Sequence, residues 1–180
     1  RNTVIHDVPT AVLFARNVYG NTFYNINHPT RDFDSNYHTN LLYLSLPDGH
    51  TGPLTYYVYN NWFYSVRAGT NIYAEACYAS DDTQYIYNNV IYDLGAPIPT
   101  FTVDPEGGRG PCGTVYIWNN TAVRAAGDPT STVLSYQNHI GTNNIKALTV
   151  RNNYLITDVK SPIVSTGVGT FLSDHNIIET

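Results

Sequence analysis

Lysine is nearly absent from this chain and methionine wholly so: Lys146 and Lys160 are the only lysines in 180 residues, and charged residues of both signs make up just 13%. With a formal net charge of −5 there is no basic surface to neutralise phosphates, which excludes a nucleic-acid partner. No run of about 18 apolar residues occurs, so no membrane span is expected, and no basic-then-apolar leader opens the sequence. No stretch carries a sustained helical period with caps, which argues against a helical bundle. Cysteine is limited to Cys77 and Cys112. One disulfide in an oxidising compartment and two free thiols both fit that pair, and the expected location is secreted or extracellular.

What replaces the missing charge is a strand-and-turn vocabulary: 16 Tyr, 13 Gly, 10 Pro and abundant Asn and Thr, within an ordinary hydrophobic fraction of 42%. One motif recurs. Val18-Tyr19-Gly20-Asn21-Thr22-Phe23-Tyr24, Val58-Tyr59-Asn60-Asn61-Trp62-Phe63-Tyr64 and Ile86-Tyr87-Asn88-Asn89-Val90-Ile91-Tyr92 share a pattern with Ile117-Trp118-Asn119-Asn120-Thr121-Ala122-Val123 and Val150-Arg151-Asn152-Asn153-Tyr154-Leu155-Ile156. Truncated copies stand at Arg1-Asn2-Thr3-Val4-Ile5 and His175-Asn176-Ile177-Ile178, so the marker Asn is read at 2, 21, 61, 89, 120, 153 and 176. The chain starts at Arg1 inside a copy, and a processed product or a part of a longer solenoid is expected, its ends needing caps.

The steps between markers are 19, 40, 28, 31, 33 and 23 residues. Such unequal steps exclude helical repeats of fixed length and point to a solenoid whose strands are constant and whose turns vary. The aliphatic residue three before each marker and the apolar residue two after it should face inward, and the odd offset between them implies a bend at the Asn pair. Asparagine amides stacked from coil to coil can hydrogen-bond one another and free backbone groups. A second strand-like run follows in most coils, at Ala11–Ala15, Ile72–Ala76, Thr100–Val103, Thr132–Tyr136 and Ile163–Ser165, separated from the Asn strands by Gly and Pro.

These Asn-centred copies resemble the right-handed β-helix repeat proteins of the pectate-lyase-like superfamily, and the resemblance spans nearly the whole chain. It implies an all-β, right-handed parallel β-helix of about six coils with an Asn ladder, as one domain over residues 1–180 carrying an insertion loop at 27–55. Members of that superfamily commonly cleave or bind acidic polysaccharides, while others are adhesins, tailspikes or epimerases; the fold does not choose among these.

Function is sought at the outward positions. Two residues before the markers stand Tyr19, Tyr59, Tyr87, Trp118 and Arg151, with Tyr24, Tyr64 and Tyr92 as a second column. Aromatic rings at the spacing of stacked coils form either a carbohydrate platform or a stack that stabilises the sheet. Asp81-Asp82, near Glu75, is the candidate acid–base pair, or an ordinary turn. It looks superficially like the Asp pair of polygalacturonase-type β-helix hydrolases, but their Asn-Thr-Asp, Gly-His-Gly and Arg-x-Lys motifs are missing. A lyase would need a base plus cations or Ca²⁺ beside a uronate carboxylate, and Arg67, Arg109, Arg124 and Arg151 are the cations at hand. Arg109 lies in the Gly-rich segment Asp104–Pro111, which either reaches a ligand or merely connects. His28, Asp32, Asp34, His38, Asp48 and His50 fall in the longest step without matching a metal-binding spacing. The expectation is an extracellular protein that recognises, or recognises and cleaves, a polysaccharide; a structural or adhesive fibre element, self-associating through solenoid ends or Tyr columns, is the alternative.

Overall fold

A computed structural model describes residues 1–8, 12–13, 15–26, 41–44, 52–65, 71–75, 81–94, 100–104, 113–125, 133–136, 145–157, 163–164 and 169–179. Among these, all regular structure is β-strand and none is helix. The strands come in threes: β1 (Val4–His6), β2 (Val12–Leu13) and β3 (Asn17–Tyr19), then β4 (Thr22–Tyr24), β5 (Leu42–Leu44) and β6 (Thr55–Tyr59). Next are β7 (Trp62–Tyr64), β8 (Ile72–Ala74) and β9 (Thr83–Tyr87), followed by β10 (Val90–Leu94), β11 (Phe101–Val103) and β12 (Thr114–Trp118). The chain continues through β13 (Thr121–Ala125), β14 (Leu134–Tyr136) and β15 (Ala147–Arg151), then β16 (Tyr154–Thr157), β17 (Ile163–Val164), β18 (Thr170–Asp174) and β19 (Ile177–Glu179).

Each strand pairs in parallel with the strands three before and three after it, so the chain visits three sheets in rotation. The first sheet holds seven strands, β1 to β19, and the second (β2 to β17) and third (β3 to β18) hold six each. This all-parallel arrangement is consistent with a β-helix. It places Leu42–Leu44, within the segment read as an insertion, in the second sheet between Val12–Leu13 and Ile72–Ala74.

The interior is built by alternation. In β6, β9, β12 and β15 every second side chain is buried, as a sheet with one packed face requires. The aliphatics before the markers (Val18, Val58, Ile86, Ile117 and Val150) are buried in the third sheet. The apolar residues after the markers are buried in the first, where the Phe23 and Phe63 rings stack 4.9 Å apart. Polar side chains sit among them too: Arg124 and Thr157 are buried neighbours in the first sheet, and Gln84 is fully buried, its Nε2 donating to the Leu44 carbonyl 3.1 Å away, across to the second sheet.

The bend between third and first sheets is a single residue in the left-handed region. Gly20, Asn60, Asn88, Asn119, Asn152 and His175 occupy it at φ between 52° and 65°, where Gly and Asn are least penalised. Behind each bend the next asparagine turns inward. The Oδ1 of Asn61, Asn89, Asn120 and Asn153 each accepts two bonds from the preceding marker, from its backbone N–H and its Nδ2, at 3.0–3.1 Å. The Nδ2 groups also donate to backbone carbonyls: Asn61 to Val18, Asn89 to Val58, Asn120 to Ile86 and Asn153 to Ile117.

At the amino-terminal copy the reading of Asn2 as a marker is corrected. Asn2 has φ 52° and so occupies the bend, while the Thr3 N–H donates to Asn21 Oδ1 at 3.1 Å. Val4 pairs with Thr22, so Thr3 stands one rung from Asn21. Asparagine suits both places, by backbone permissiveness in one and by its amide in the other, which is why spacing alone misassigned it.

Candidate functional site

The outer face of the third sheet is tiled with aromatic rings. Parallel pairing in register puts Tyr19, Tyr59, Tyr87, Trp118 and Arg151 in one column, all partly exposed. Tyr19–Tyr59 and Tyr59–Tyr87 stack at 4.9 and 5.0 Å between centroids with planes 4° apart. Trp118 breaks the parallel stacking, lying 5.9 Å from Tyr87 with a tilt of 42°. Arg151 turns to the next rung, its Nε donating to Asp174 Oδ1 at 2.8 Å. At the other end Arg1 Nη1 donates to the Tyr19 hydroxyl at 3.5 Å.

A further column of the same sheet, not singled out from the sequence, runs beside the first: Tyr57, Tyr85 and Tyr116, two residues earlier on the same strands. Tyr57–Tyr85 stack at 5.2 Å and 13°, and Tyr85–Tyr116 at 5.1 Å and 10°. Trp118 leans across both columns, 5.6 Å from Tyr85 and 5.3 Å from Tyr116. The signal was available, because period-two alternation makes Tyr57 and Tyr59, or Tyr85 and Tyr87, share a face. Partial burial and, after it, the neighbouring phenols push the Tyr85 and Tyr87 hydroxyls above their ordinary pKa.

Because ring rests on ring, the interior tyrosines spend their faces on one another and offer solvent their edges and hydroxyls. Free aromatic faces occur elsewhere. On the first sheet His6, Tyr24 and Tyr64 stack at 4.6 and 5.0 Å, but the run of stacked rings stops at Tyr64. There the corner changes: Asp7, Asn25 and Ser65 end β1, β4 and β7 in the left-handed region, whereas β10 runs on to Leu94. Tyr64, Tyr92 and Trp62 line an open hollow of about 290 Å³, and Trp62 is 54% exposed.

The two carboxylates of the candidate acid–base pair stand in different surroundings. Asp81 is exposed on a turn, where its backbone carbonyl accepts from Thr83 Oγ1 at 3.2 Å. Asp82 is 3% exposed, and its Oδ1 accepts the Leu54 N–H at 2.8 Å, holding the start of β6 one rung away. Glu75 is buried and receives the Tyr43 hydroxyl at 3.0 Å. The Asp82 carboxylate thus has a structural task. Asp82→Ala, which orphans the Leu54 N–H, should cost about 1–3 kcal/mol in urea unfolding, while Asp82→Asn, which keeps an acceptor oxygen, should cost less. Equal losses from the two variants would refute that role.

Arg109, Arg67, Cys77, Cys112 and the histidine-containing stretch 28–38 with His50 lie outside the described residues. Arg124, a candidate cation, is buried. Among the described residues no three His, Cys, Asp or Glu side chains are grouped so as to hold a metal ion, and no helix is long and apolar enough to cross a membrane.

No protein-family model, curated protein or solved structure matches the chain.

Proposed function

We propose that the chain is a stretch of right-handed parallel β-helix of the pectate-lyase-like kind, about six coils braced by an asparagine ladder. On this reading it works outside the cell and recognises a polysaccharide on its aromatic outer faces. The observation that carries the proposal is the double aromatic column of the third sheet, partly exposed and repeating at the pitch of the strands. Rows of phenol hydroxyls at that pitch offer donors and acceptors to successive sugar hydroxyls. The tilted Trp118 and the hollow beside Trp62 supply ring faces for the apolar sides of pyranoses.

Recognition without cleavage is favoured, since Asp82 is committed to a backbone N–H and Asp81 faces solvent. The test is a glycan-array screen of the purified chain with and without Ca²⁺, followed by incubation with each hit. Trp118→Ala combined with Tyr87→Ala should weaken the best hit about tenfold, a loss of roughly 1.4 kcal/mol, with the far-UV dichroism of the sheets retained. Shortened or unsaturated products would make the protein an enzyme.

A second reading rests on the stacking itself. Rings that cover one another's faces stabilise adjacent strands whether or not a ligand exists, as a structural or adhesive fibre element requires. An array without any hit, together with concentration-dependent self-association in sedimentation, would favour it.

A further inference from the structure

Beyond glycan recognition, we propose that the third sheet's outer face is a site of oxidative tyrosine cross-linking, at which a peroxidase-type oxidant joins tyrosines of successive rungs into dityrosine. The argument is geometric. Tyr19, Tyr59 and Tyr87 in one column, and Tyr57, Tyr85 and Tyr116 in the other, hold neighbouring phenols 4.9–5.2 Å apart with planes within 13°. Pairing in register sends these side chains off equivalent backbone positions of parallel strands, so ring carbons ortho to the hydroxyls lie one above another. All six are partly or largely exposed, with Tyr57 at 37%, so an oxidant in solvent reaches them.

Each phenol gives one electron and its hydroxyl proton to the oxidant. The two radicals pair their unpaired electrons in a carbon–carbon bond between ortho positions. The hydrogen on each newly bonded carbon leaves as a proton, and each phenolic oxygen regains one. Per link the protein loses two hydrogens, and one hydrogen peroxide is reduced to two waters through the haem of the peroxidase. Holding both partners in place raises their effective concentration far above that of encounters between molecules, so coupling within a column outruns dimer formation. Each link closes the loop of one rung and staples the solenoid along its axis, limiting the unfolded chain as other cross-links do.

The molecule carries its own comparison. Tyr43 and Tyr73 are also neighbours, at 5.1 Å, but their planes are 59° apart and Tyr73 is buried. Their hydroxyls are committed to Glu75 and Asp104. This pair is expected to stay unlinked.

The test is to treat dilute, intact protein with a haem peroxidase and hydrogen peroxide and map the linked tryptic peptides by mass spectrometry. Consecutive tyrosines of a column fall in different peptides, 17–31, 32–67, 68–109 and 110–124, so every link leaves a joined pair lighter by two hydrogens. Expected are monomers with dityrosine fluorescence and links, each assigned to its tyrosines by fragment ions, at Tyr19–Tyr59, Tyr59–Tyr87, Tyr57–Tyr85 and Tyr85–Tyr116, and also at Tyr24–Tyr64, which stacks alike at 5.0 Å on the first sheet. Tyr59→Phe keeps a ring in the stack but removes the phenol; it should abolish the two links of its own column and leave Tyr57–Tyr85. Covalent dimers as the main product, preferential linking of Tyr43 to Tyr73, or no dityrosine while free tyrosine couples in the same tube would each overturn the proposal. So would undiminished linking of the 17–31 and 32–67 peptides through Tyr19 in Tyr59→Phe. Glycan binding plays no part in the reaction, so failure here leaves the recognition proposal standing, and the reverse.

Discussion

Asn120→Ala should cost about 4 kcal/mol of stability, among the largest losses available from any one side chain in this protein. Asn120 is 1% exposed at the middle of the asparagine column. Its Oδ1 accepts from both the backbone N–H and the Nδ2 of Asn89, and its Nδ2 donates to Asn153 Oδ1 and to the Ile86 and Trp118 carbonyls. Truncation leaves the Asn89 N–H buried without its acceptor and withdraws a donor from the Ile86 carbonyl, at roughly 1–3 kcal/mol for each orphaned group, plus the void of the lost amide. Asn120→Asp separates hydrogen bonding from size. It keeps the acceptor toward Asn89 but turns a second oxygen toward the Ile86 carbonyl and Asn153 Oδ1, so it should be as damaging as alanine at neutral pH. Urea unfolding followed by far-UV dichroism measures both. A loss under about 1 kcal/mol for either variant would mean that water replaces the amide and that the column is ornament rather than support.

The same chemistry explains how much could be read from the chain beforehand. Only a side chain with both a donor and an acceptor can receive from one rung and give to the next, so Asn21, Asn61, Asn89, Asn120 and Asn153 are visible as a repeat despite steps of 28 to 40 residues between neighbours. Val58 and Phe63 are equally legible, because strand alternation and a fixed bend set them inward. Short strands were legible where Gly or Pro sets them off from the marker strands, as at Ile72–Ala74 and Phe101–Val103. Leu42–Leu44 passes for part of a loop until its partners in the second sheet are known.

The candidate site was legible by halves. Register follows from the marker, so Tyr19, Tyr59, Tyr87 and Trp118 could be aligned as a column. Whether a ring offers its face to a ligand or to the next tyrosine depends on side-chain rotation, which the marker does not encode. Asp82 shows a similar limit: an Asp-Asp pair reads as an exposed turn, yet its second carboxylate is drawn in by the Leu54 N–H.

Gly113 is the position where backbone geometry, invisible in the repeat, should dominate. A Cβ built there would lie 1.9 Å from the Asp82 carbonyl oxygen and 2.6 Å from its carbonyl carbon, both backbone atoms. Neither side can give way cheaply. The Thr114 N–H donates to that same Asp82 oxygen at 2.8 Å, and the Lys146 N–H donates to the Gly113 carbonyl at 3.0 Å, so the glycine is clamped between two rungs. Gly113→Ala must therefore push β12 away from β9 or break these bonds, and a loss of about 3 kcal/mol is expected, at the upper end for overpacking. Gly169 supplies the graded comparison. Its Cβ would meet the Lys146 carbonyl oxygen at 2.9 Å, so Gly169→Ala asks for a far smaller shift at the last pairing of the third sheet and should cost under half as much. Urea midpoints of the two variants, read side by side, test the ordering. If Gly169→Ala is the more damaging, or if Gly113→Ala is neutral, then the close approach of the chain to Asp82 is not what holds β9 and β12 in register.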